Sequence, residues 1–310
     1  DAFDGFHVHI AGGRMGEFNH RFGQPSITSP YGVGYRPPFT YEDTTDPQTG
    51  ETLPGLLDAL RARGRVPKIV ATNSATVRAG TSGFAYTSWK PDFYPAKLPA
   101  KDFLKHYATR LNAVEVNYTF RQLPKATTLE NWVHATPEGF TFVVKAHQRI
   151  THIHRLKTSE FTEVFFKAID PLRSARRLGP VLFQLPPNLK ADVELLGAFL
   201  ATLPGDVRCA FEFRHASWMV DEVYQLLQRH NAALCQAESD TFEAPKVVTA
   251  EFMYARLRKS EYSPDERAAI AEGVRQQLQG GHDVYCFYKH EDTPAGALYA
   301  EELLRAVPAV

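Results

Sequence analysis

The thirteen residues KAHQRITHIHRLK, from Lys145 to Lys157, carry Lys145, His147, Arg149, His152, His154, Arg155 and Lys157 and no acid. Guanidinium groups grip phosphate or carboxylate through a two-pronged fork and ammonium groups act as point charges, so such a run suits an anionic ligand. Its plain alternative is a solvated basic face at a helix start. Arg214, Arg256 and Arg258 lie far off in sequence but share the chemical type. Among the acids, Glu212 is the best candidate for a general base: Arg214 two positions on keeps it ionised, burial pushes its pKa up, and His215 follows. Structural pairing of Glu212 with Arg214 is the equal alternative. His152 is the second candidate for proton transfer, with capping or hydrogen bonding as its alternative.

Residues so far apart share a site only if strands deliver them to one end. Eight short apolar segments each run out into polar residues: GTSGF, AVEVNYTF, FTFVVKAHQ, VLFQLPP, RCAFEFRH, ALCQAES, FMYARLR and DVYCFYKH, between Gly80 and His290. Most spacers have room for a helix, which predicts an α/β fold of parallel βαβ units closing into a (β/α)8 barrel of TIM type. Residues 80–310 fit a barrel, which typically takes about 250 residues and does its chemistry where the strands end. Between Glu238 and Phe252 the chain is too short for a crossover helix with its loops, so a truncated helix or a turn is expected there.

Successive strand side chains point to opposite faces, and the face toward the helices should be apolar. In Ala210-Phe211-Glu212-Phe213-Arg214 the two Phe face out, so Glu212 and Arg214 face in. In Val114-Glu115-Val116-Asn117 the valines face out. The same logic sends Lys145, Gln184, Glu238, Arg256 and Lys289 inward, where an ordinary barrel holds Val, Ile and Leu. A charged interior is either a ligand site or a salt-bridge network that fixes the register. Buried pairs roughly break even against apolar packing, so stability alone is a weak reason to keep them. Phe84, Tyr86, Trp89, Phe120 and Trp218 are expected to rim the same face, stacking on bases or sugars or packing as core or lid.

Two chemistries fit these positions poorly. Glycoside hydrolysis needs two carboxyl groups about 5 to 9.5 Å apart, and barrel glycosidases often carry them, by analogy, at the ends of the fourth and seventh strands, where this chain has Gln184 and Arg256. A metal needs imidazole and carboxylate converging away from competing cations, whereas here the cations offset the glutamates and the histidines fall on loops. Neither a metal nor a cofactor is expected. With 35 Lys and Arg against 35 Asp and Glu in 310 residues, no global field attracts nucleic acid, and any attraction must come from a local patch. Cys209, Cys235 and Cys286 fall inside predicted strands as small buried hydrophobes and imply no disulfide framework. No apolar run approaches the roughly 18 residues that span a bilayer, and the acidic start at Asp1 is not a signal peptide's basic region. A cytoplasmic protein without membrane contact is expected.

Two resemblances divide the chain. Gly, Pro, Thr and Asp crowd residues 12–55, a loop-rich composition. HVHIAGGRMGEFNHRFGQPS, FTYEDTTDPQTG and LLDALRARGRVPKIVATNSA resemble an internal part of an uncharacterised family of alpha/beta hydrolase domains, as far as Ala75. No G-x-S-x-G elbow occurs; Gly80-Thr81-Ser82-Gly83 is one residue short, so residues 1–78 read as an N-terminal extension, a hydrolase-like fragment fused to the barrel. From Gly80 to about Leu304, TSGFAYTSWKPDFYP, VEVNYTF, WVHATPEGFTFVVKA, ITHIHRL, GPVLFQLPP, AFEFRHASW and YARLR resemble the YecE-like family, domain of unknown function 72. The resemblance implies a barrel without an assigned reaction and draws attention to His152, which lies in the ITH string. The chain departs from the family at Arg121, usually Tyr, and at Glu238, often Asp.

These readings give an extension, 1–78, and a barrel, 79–310. The barrel is expected to bind a phosphorylated or otherwise anionic small molecule, or nucleic acid, at the strand C-terminal face without an obligatory metal. Glu212 and His152 are the candidate catalytic residues. Glu115, Asn117, Lys145, Arg149, Gln184, Arg214, Trp218 and Arg256 are the candidate ligand contacts. The alternatives are a metal-dependent phosphodiester or sugar-phosphate enzyme and a non-catalytic barrel whose charges only pair internally. The residues leave the reaction, if any, and the oligomeric state open.

Overall fold

The computed structural model describes residues 75–289 and 293–307; the hydrolase-like strings, up to residue 74, lie outside the described residues. Eight parallel strands are present: β1 (Val77–Thr81), β2 (Ala113–Val116), β3 (Thr141–Lys145), β4 (Leu178–Gln184), β5 (Cys209–Glu212), β6 (Ala233–Ser239), β8 (Phe252–Leu257) and β9 (Asp283–Tyr288). They pair in the order β1-β9-β8-β6-β5-β4-β3-β2. Around them lie α1 (Phe103–Arg110), α2 (Ala126–His134), α3 (Glu160–Ser174), α4 (Val193–Leu200), α5 (Asp221–Arg229), α6 (Pro264–Gln279) and α7 (Ala295–Ala306). The expected barrel is there, with its first strand opening at Val77, ahead of Gly80. In the short spacer no helix forms. A two-residue strand, β7 (Phe242–Glu243), folds back antiparallel on the end of β6, and coil reaches β8.

Two apolar shells hold the ring. Val114, Val116, Phe142, Val144, Phe183, Phe211 and Phe213 pack outward against the helices. Ala113, Val143, Leu182, Ala210, Ala233, Cys235, Phe252, Tyr254 and Phe287 pack inward. Each fully buried Val, Leu or Phe contributes about 1.5 to 3 kcal/mol. The helices present matching stripes: α5 buries Val223, Leu226 and Leu227 at the i, i+3, i+4 spacing of one helix face. A capping box of Ser263 and Glu266 with Pro264 in the first turn starts α6.

The ring closes differently at its last seam. β1 and β2 share only a bridge between Ser82 and Glu115. Below it, Asn112 stands in for a strand: its Oδ1 accepts from Ala79 N at 2.9 Å and its Nδ2 donates to Val77 O at 2.9 Å. The Tyr107 hydroxyl, from α1, accepts from Thr81 N at 2.8 Å and donates to Ala113 O at 3.0 Å. Gly80 allows this approach, since a Cβ there would lie 1.8 Å from Ala113 O.

One inward expectation is corrected. On β6 the interior positions are the small Cys235 and Ala237, while Leu234 packs outward, so Glu238 shares the outer face. It accepts the Tyr262 hydroxyl at 2.6 Å, and Tyr262 packs on Tyr288 and Tyr299. Cys209, Cys235 and Cys286 are free and buried. No helix among the described residues is long and apolar enough to cross a membrane.

Candidate anion-binding site

Strand parity delivers Glu115, Lys145, Gln184, Glu212 and Arg256 to one end of the interior, each the last or last but one residue of its strand on the C-terminal side. Arg256, 2% exposed, is the floor. It donates from Nη1 to Glu212 Oε2 at 2.5 Å and from Nη2 to Glu115 Oε1 at 2.7 Å. Glu115 also accepts from Ser82 Oγ at 2.7 Å and from the Tyr254 hydroxyl at 2.6 Å. The second oxygen of Glu212 accepts from Arg214 Nε at 2.9 Å. Every carboxylate oxygen of the floor is therefore engaged.

Above the floor the bonding is incomplete. Gln184 Oε1 receives both Lys145 Nζ, at 2.8 Å, and Arg214 Nη2, at 3.0 Å. Two cations thus share one neutral acceptor at a position where a carboxylate would have balanced them. Lys145 Nζ also stands 4.1 Å over the ring of Phe120. Arg258, half-buried and of the same strand parity as Arg256, makes no ion pair among the described residues. The Arg214 side chain, 36% exposed, opens the cluster to solvent.

Electrostatics follow from this geometry. Burial raises the Glu212 pKa, but the Arg256 and Arg214 guanidiniums and their hydrogen bonds outweigh it and hold the carboxyl at about 2. Burial and the charge of Arg256 push Lys145 down to about 8. Burial and Arg256 also lower Arg258, and burial with Lys145, Arg214 and Arg155 lowers His152. Glu212 is ionised, as expected, but with both oxygens bonded and so low a pKa it is a poor general base near neutral pH. Lys145 and Arg258 are thus destabilised as cations, the opposite of what a satisfied network would do to them.

The basic run divides. Residues Arg149–Ile153 form a π-helical turn, a rare form frequent at functional sites. His152 faces the cluster, its ring edge-to-face with Phe120 at 5.0 Å and its Nδ1 2.8 Å from Thr151 Oγ1. Arg149 does not join: it is exposed and stacks on Phe161 at 4.4 Å. His147 is a local brace, accepting from Arg149 N at 3.1 Å. The run ends in two left-handed residues, Arg155 at φ 50° and Leu156 at φ 65°, a strained turn tolerated because Leu156 is fully buried.

The aromatic rim is also corrected. Trp218 is buried, donates Nε1–H to Leu189 O at 2.8 Å and stacks on Phe213 at 4.6 Å, so it is core and offers no face to a ligand. Trp89 is buried among Phe93 and Tyr94. Of the five, Phe120 touches the cluster, beneath Lys145 and against His152. Asn117, just past β2, has a buried Oδ1 without a hydrogen-bond partner among the described residues. What sequence reasoning undervalued is Gln184 as the shared acceptor and Arg258, whose inward placement is readable from parity once the strands are set.

Two cavities lie elsewhere and are charge-balanced. One of about 330 Å³ at the strand N-terminal end is lined by Arg173, Asp206, Arg208 and Tyr285, with Arg173 on Asp206 and Arg208 on Asp283. One of about 420 Å³ between α6 and α7 contains the pairs Arg267–Glu302 and Arg275–Glu272. Among the described residues no three His, Cys, Asp or Glu side chains are grouped to hold a metal.

Comparison with known proteins agrees with this architecture. Residues 78–309 match the family described as protein of unknown function DUF72. UPF0759 protein YunF of Bacillus subtilis (strain 168) is 32% identical over 149 residues, 45% of this chain and 52% of that protein, so the match spans about half the relative's length. A DUF72 family protein from Thermotoga maritima MSB8 superposes with a TM-score of 0.67 at 27% identity, over 74% of this chain and 98% of that one. One from Enterococcus faecalis V583 gives 0.61 at 21% identity, over 75% and 98%. With three quarters of its length matching the family and a barrel of the family's shape, the chain belongs to the DUF72 family of proteins of unknown function.

Proposed function

We propose that the barrel mouth binds a phosphorylated or otherwise anionic ligand through Lys145, Arg214 and Arg258, without requiring a metal. The observation that supports this is the charge surplus among the described residues: Lys145, Arg214, Arg256 and Arg258 gather around two carboxylates, and Gln184 supplies only an amide oxygen where the excess meets. A phosphate carrying about 1.5 to 2 negative charges would neutralise that surplus. Arg256 is buried beneath and contributes field, not contact. A sugar phosphate or nucleotide needs the mouth alone. Exposed Arg149 and Lys157 and half-buried Arg155 beside it would extend contact along a nucleic-acid backbone, which makes oligonucleotides the longer form of the same ligand class.

The test is a thermal-shift screen of sugar phosphates, nucleotides and short oligonucleotides. At about 100 times Kd a bound anion adds about 2.7 kcal/mol of stability. Arg258→Met should abolish the gain without harming the free protein, and the gain should weaken as salt rises. A chelator should leave it unchanged; loss of binding with chelator favours the metal-dependent reading. No shift with any phosphate compound leaves the internal network as the barrel's whole role.

A further inference from the structure

We propose that Lys145 is the reacting amine of this barrel, condensing with the carbonyl carbon of an anionic aldehyde or ketone, a 2-oxo acid or a phosphorylated sugar in its open form, to give an imine. This role rests on the anion-binding reading above and names the substrate class of the same site.

Position comes first. Lys145 is the last residue of β3, so its stem stands on a strand fixed on both sides by β2 and β4. Its Nζ reaches the half-buried mouth between the Gln184 amide oxygen, 2.8 Å away, and the face of Phe120, 4.1 Å away. A lysine kept for stability would meet a carboxylate, yet Lys145 has none within ion-pair distance among the described residues. Its neighbours are cations: Arg214 on the same amide oxygen, Arg256 below and Arg258 beyond. Glu115 and Glu212 face it from β2 and β5 with their oxygens already taken, and His152 from the π-helical turn.

Such surroundings favour the uncharged amine, which is the nucleophile; desolvation and a neighbouring cation are the two known ways to activate a lysine for imine formation. The lowering of Lys145 to about 8 agrees with the geometry. An amide oxygen accepts from either form of the amine and cannot take its proton, so Gln184 aims the lone pair without quenching it.

The chemistry balances within the site. The amine lone pair forms the C–N bond, the carbonyl π pair moves to oxygen, and oxygen takes the proton that nitrogen releases. The C–O bond then breaks, and water leaves with the second amine hydrogen, so no oxidant or reductant is needed. His152 is suited to carry these protons. Burial and its cationic neighbours keep it neutral, Thr151 holds Nδ1, and its ring packs on the same Phe120 as Lys145. The anionic end of the substrate falls to Arg214 and Arg258, which leaves its carbonyl toward Nζ.

Incubation with pyruvate or dihydroxyacetone phosphate and sodium cyanoborohydride at neutral pH, followed by intact-mass and peptide mapping, tests the proposal. One reduced adduct per chain is expected, on Lys145, formed at least about tenfold faster than on the exposed Lys97 and Lys105 because more of its amine is uncharged. Lys145→Arg, checked for an unchanged melting transition, should remove it, with Lys145→Met as the alternative if the arginine form does not fold. Glycerol 3-phosphate, which has no carbonyl, should raise the melting temperature but leave no adduct. Labelling spread evenly over surface lysines, or persisting in both variants, overturns the proposal. If all three probes raise the melting temperature and none is trapped, the anion site stands and the amine role falls; if none binds and none is trapped, both fall.

Discussion

The two ends of the barrel interior solve the same problem in opposite ways. At the strand N-terminal end, Arg208 meets Asp283 at 2.7 Å and the Tyr285 hydroxyl at 3.0 Å, and the second Asp283 oxygen takes Thr76 N and Oγ1, each at 2.8 Å. One cation, one carboxylate and their hydrogen-bond partners close on themselves. At the C-terminal end every carboxylate oxygen of the floor is likewise engaged, but a layer of cations is stacked on it with an amide as their shared acceptor. Paired charge at one end holds strands in register; surplus charge at the other is stored repulsion that an arriving anion can relieve.

The contrast can be broken most severely through Arg256. Arg256→Met should cost about 3 to 5 kcal/mol, because it leaves Glu115 and Glu212 buried without a counter-charge. Arg208→Met, at a site more than a third exposed, should cost nearer 1 kcal/mol. Denaturant unfolding of both variants measures the difference, and equal losses would erase the distinction between floor and far end. Sequence alone suggested that Arg256 is a ligand contact, whose loss would fall on binding and not on the fold. Its two paired amino groups reverse that expectation.

Titration separates the ends next. Glu212 is held at about 2 against an ordinary 4.5, so its contribution is complete above pH 4.5 and disappears as pH falls toward 2, about 3 kcal/mol in all. Asp283, lowered despite its burial by Thr76 and Arg208, adds to the same acid branch. Lys145 acts in the alkaline range with the other sign. Its folded pKa of about 8 lies below the ordinary 10.5, so the unfolded chain holds more protons between those values and stability gains as pH rises through them. Buried Cys209, pushed up to about 12 from 9, opposes this above pH 9. The informative quantity is therefore the melting temperature of the parent minus that of Lys145→Met, which should climb from pH 8 to 10.5 and stay flat below.

A smaller change should convert one end into the other. Gln184→Glu places a carboxylate between Lys145 and Arg214 at almost no change of shape. It should raise the stability of the free protein by about 1 to 2 kcal/mol, and the stabilisation by phosphate compounds should vanish with it. Stability unchanged and binding intact would show that the surplus at Gln184 is not what the mouth uses. Smallest is Tyr107→Phe, which deletes one hydroxyl from the seam and should cost about 0.5 to 1.5 kcal/mol by the same unfolding measurement.

Much of this was legible beforehand. Seven of the eight strands announce themselves as apolar runs, β1 opening ahead of the GTSGF read for it, and alternation in AFEF and VEV places Glu212 and Glu115 inside because flanking Phe and Val demand the helix-facing side. The same rule misplaces Glu238 because the apolar Ala233, Cys235 and Ala237 are small enough to line the interior, which leaves the polar Gln236 and Glu238 on the helix-facing side with Leu234. Trp218 was misread as rim because its partner Phe213 and its acceptor Leu189 meet it only after the chain folds. The basic run was visible as composition, but the π-helical turn that sends His152 toward the mouth and Arg149 toward Phe161 is a backbone geometry with no residue signature. Nor does any pattern foretell that Tyr107 and Asn112 serve as strand bonds, since side chains doing backbone work carry no periodicity.

That substitution also bears on how the ring can be assembled and altered. Seven backbone ladders join the strands, and one side-chain clasp joins β1 to β2. A ladder tolerates almost any residue, since every residue brings its own amide and carbonyl; a clasp depends on two particular side chains and on the rotation of α1 that aims one of them. Mutational drift on α1 is thus coupled to the pairing of β1 with β2. β1, bound to β9 along its whole length, can form with the C-terminal half of the barrel before α1 docks. Ring closure then becomes a late, separable event in folding, and the β1–β2 gap is the natural place at which to cut and rejoin the chain in a circular permutant.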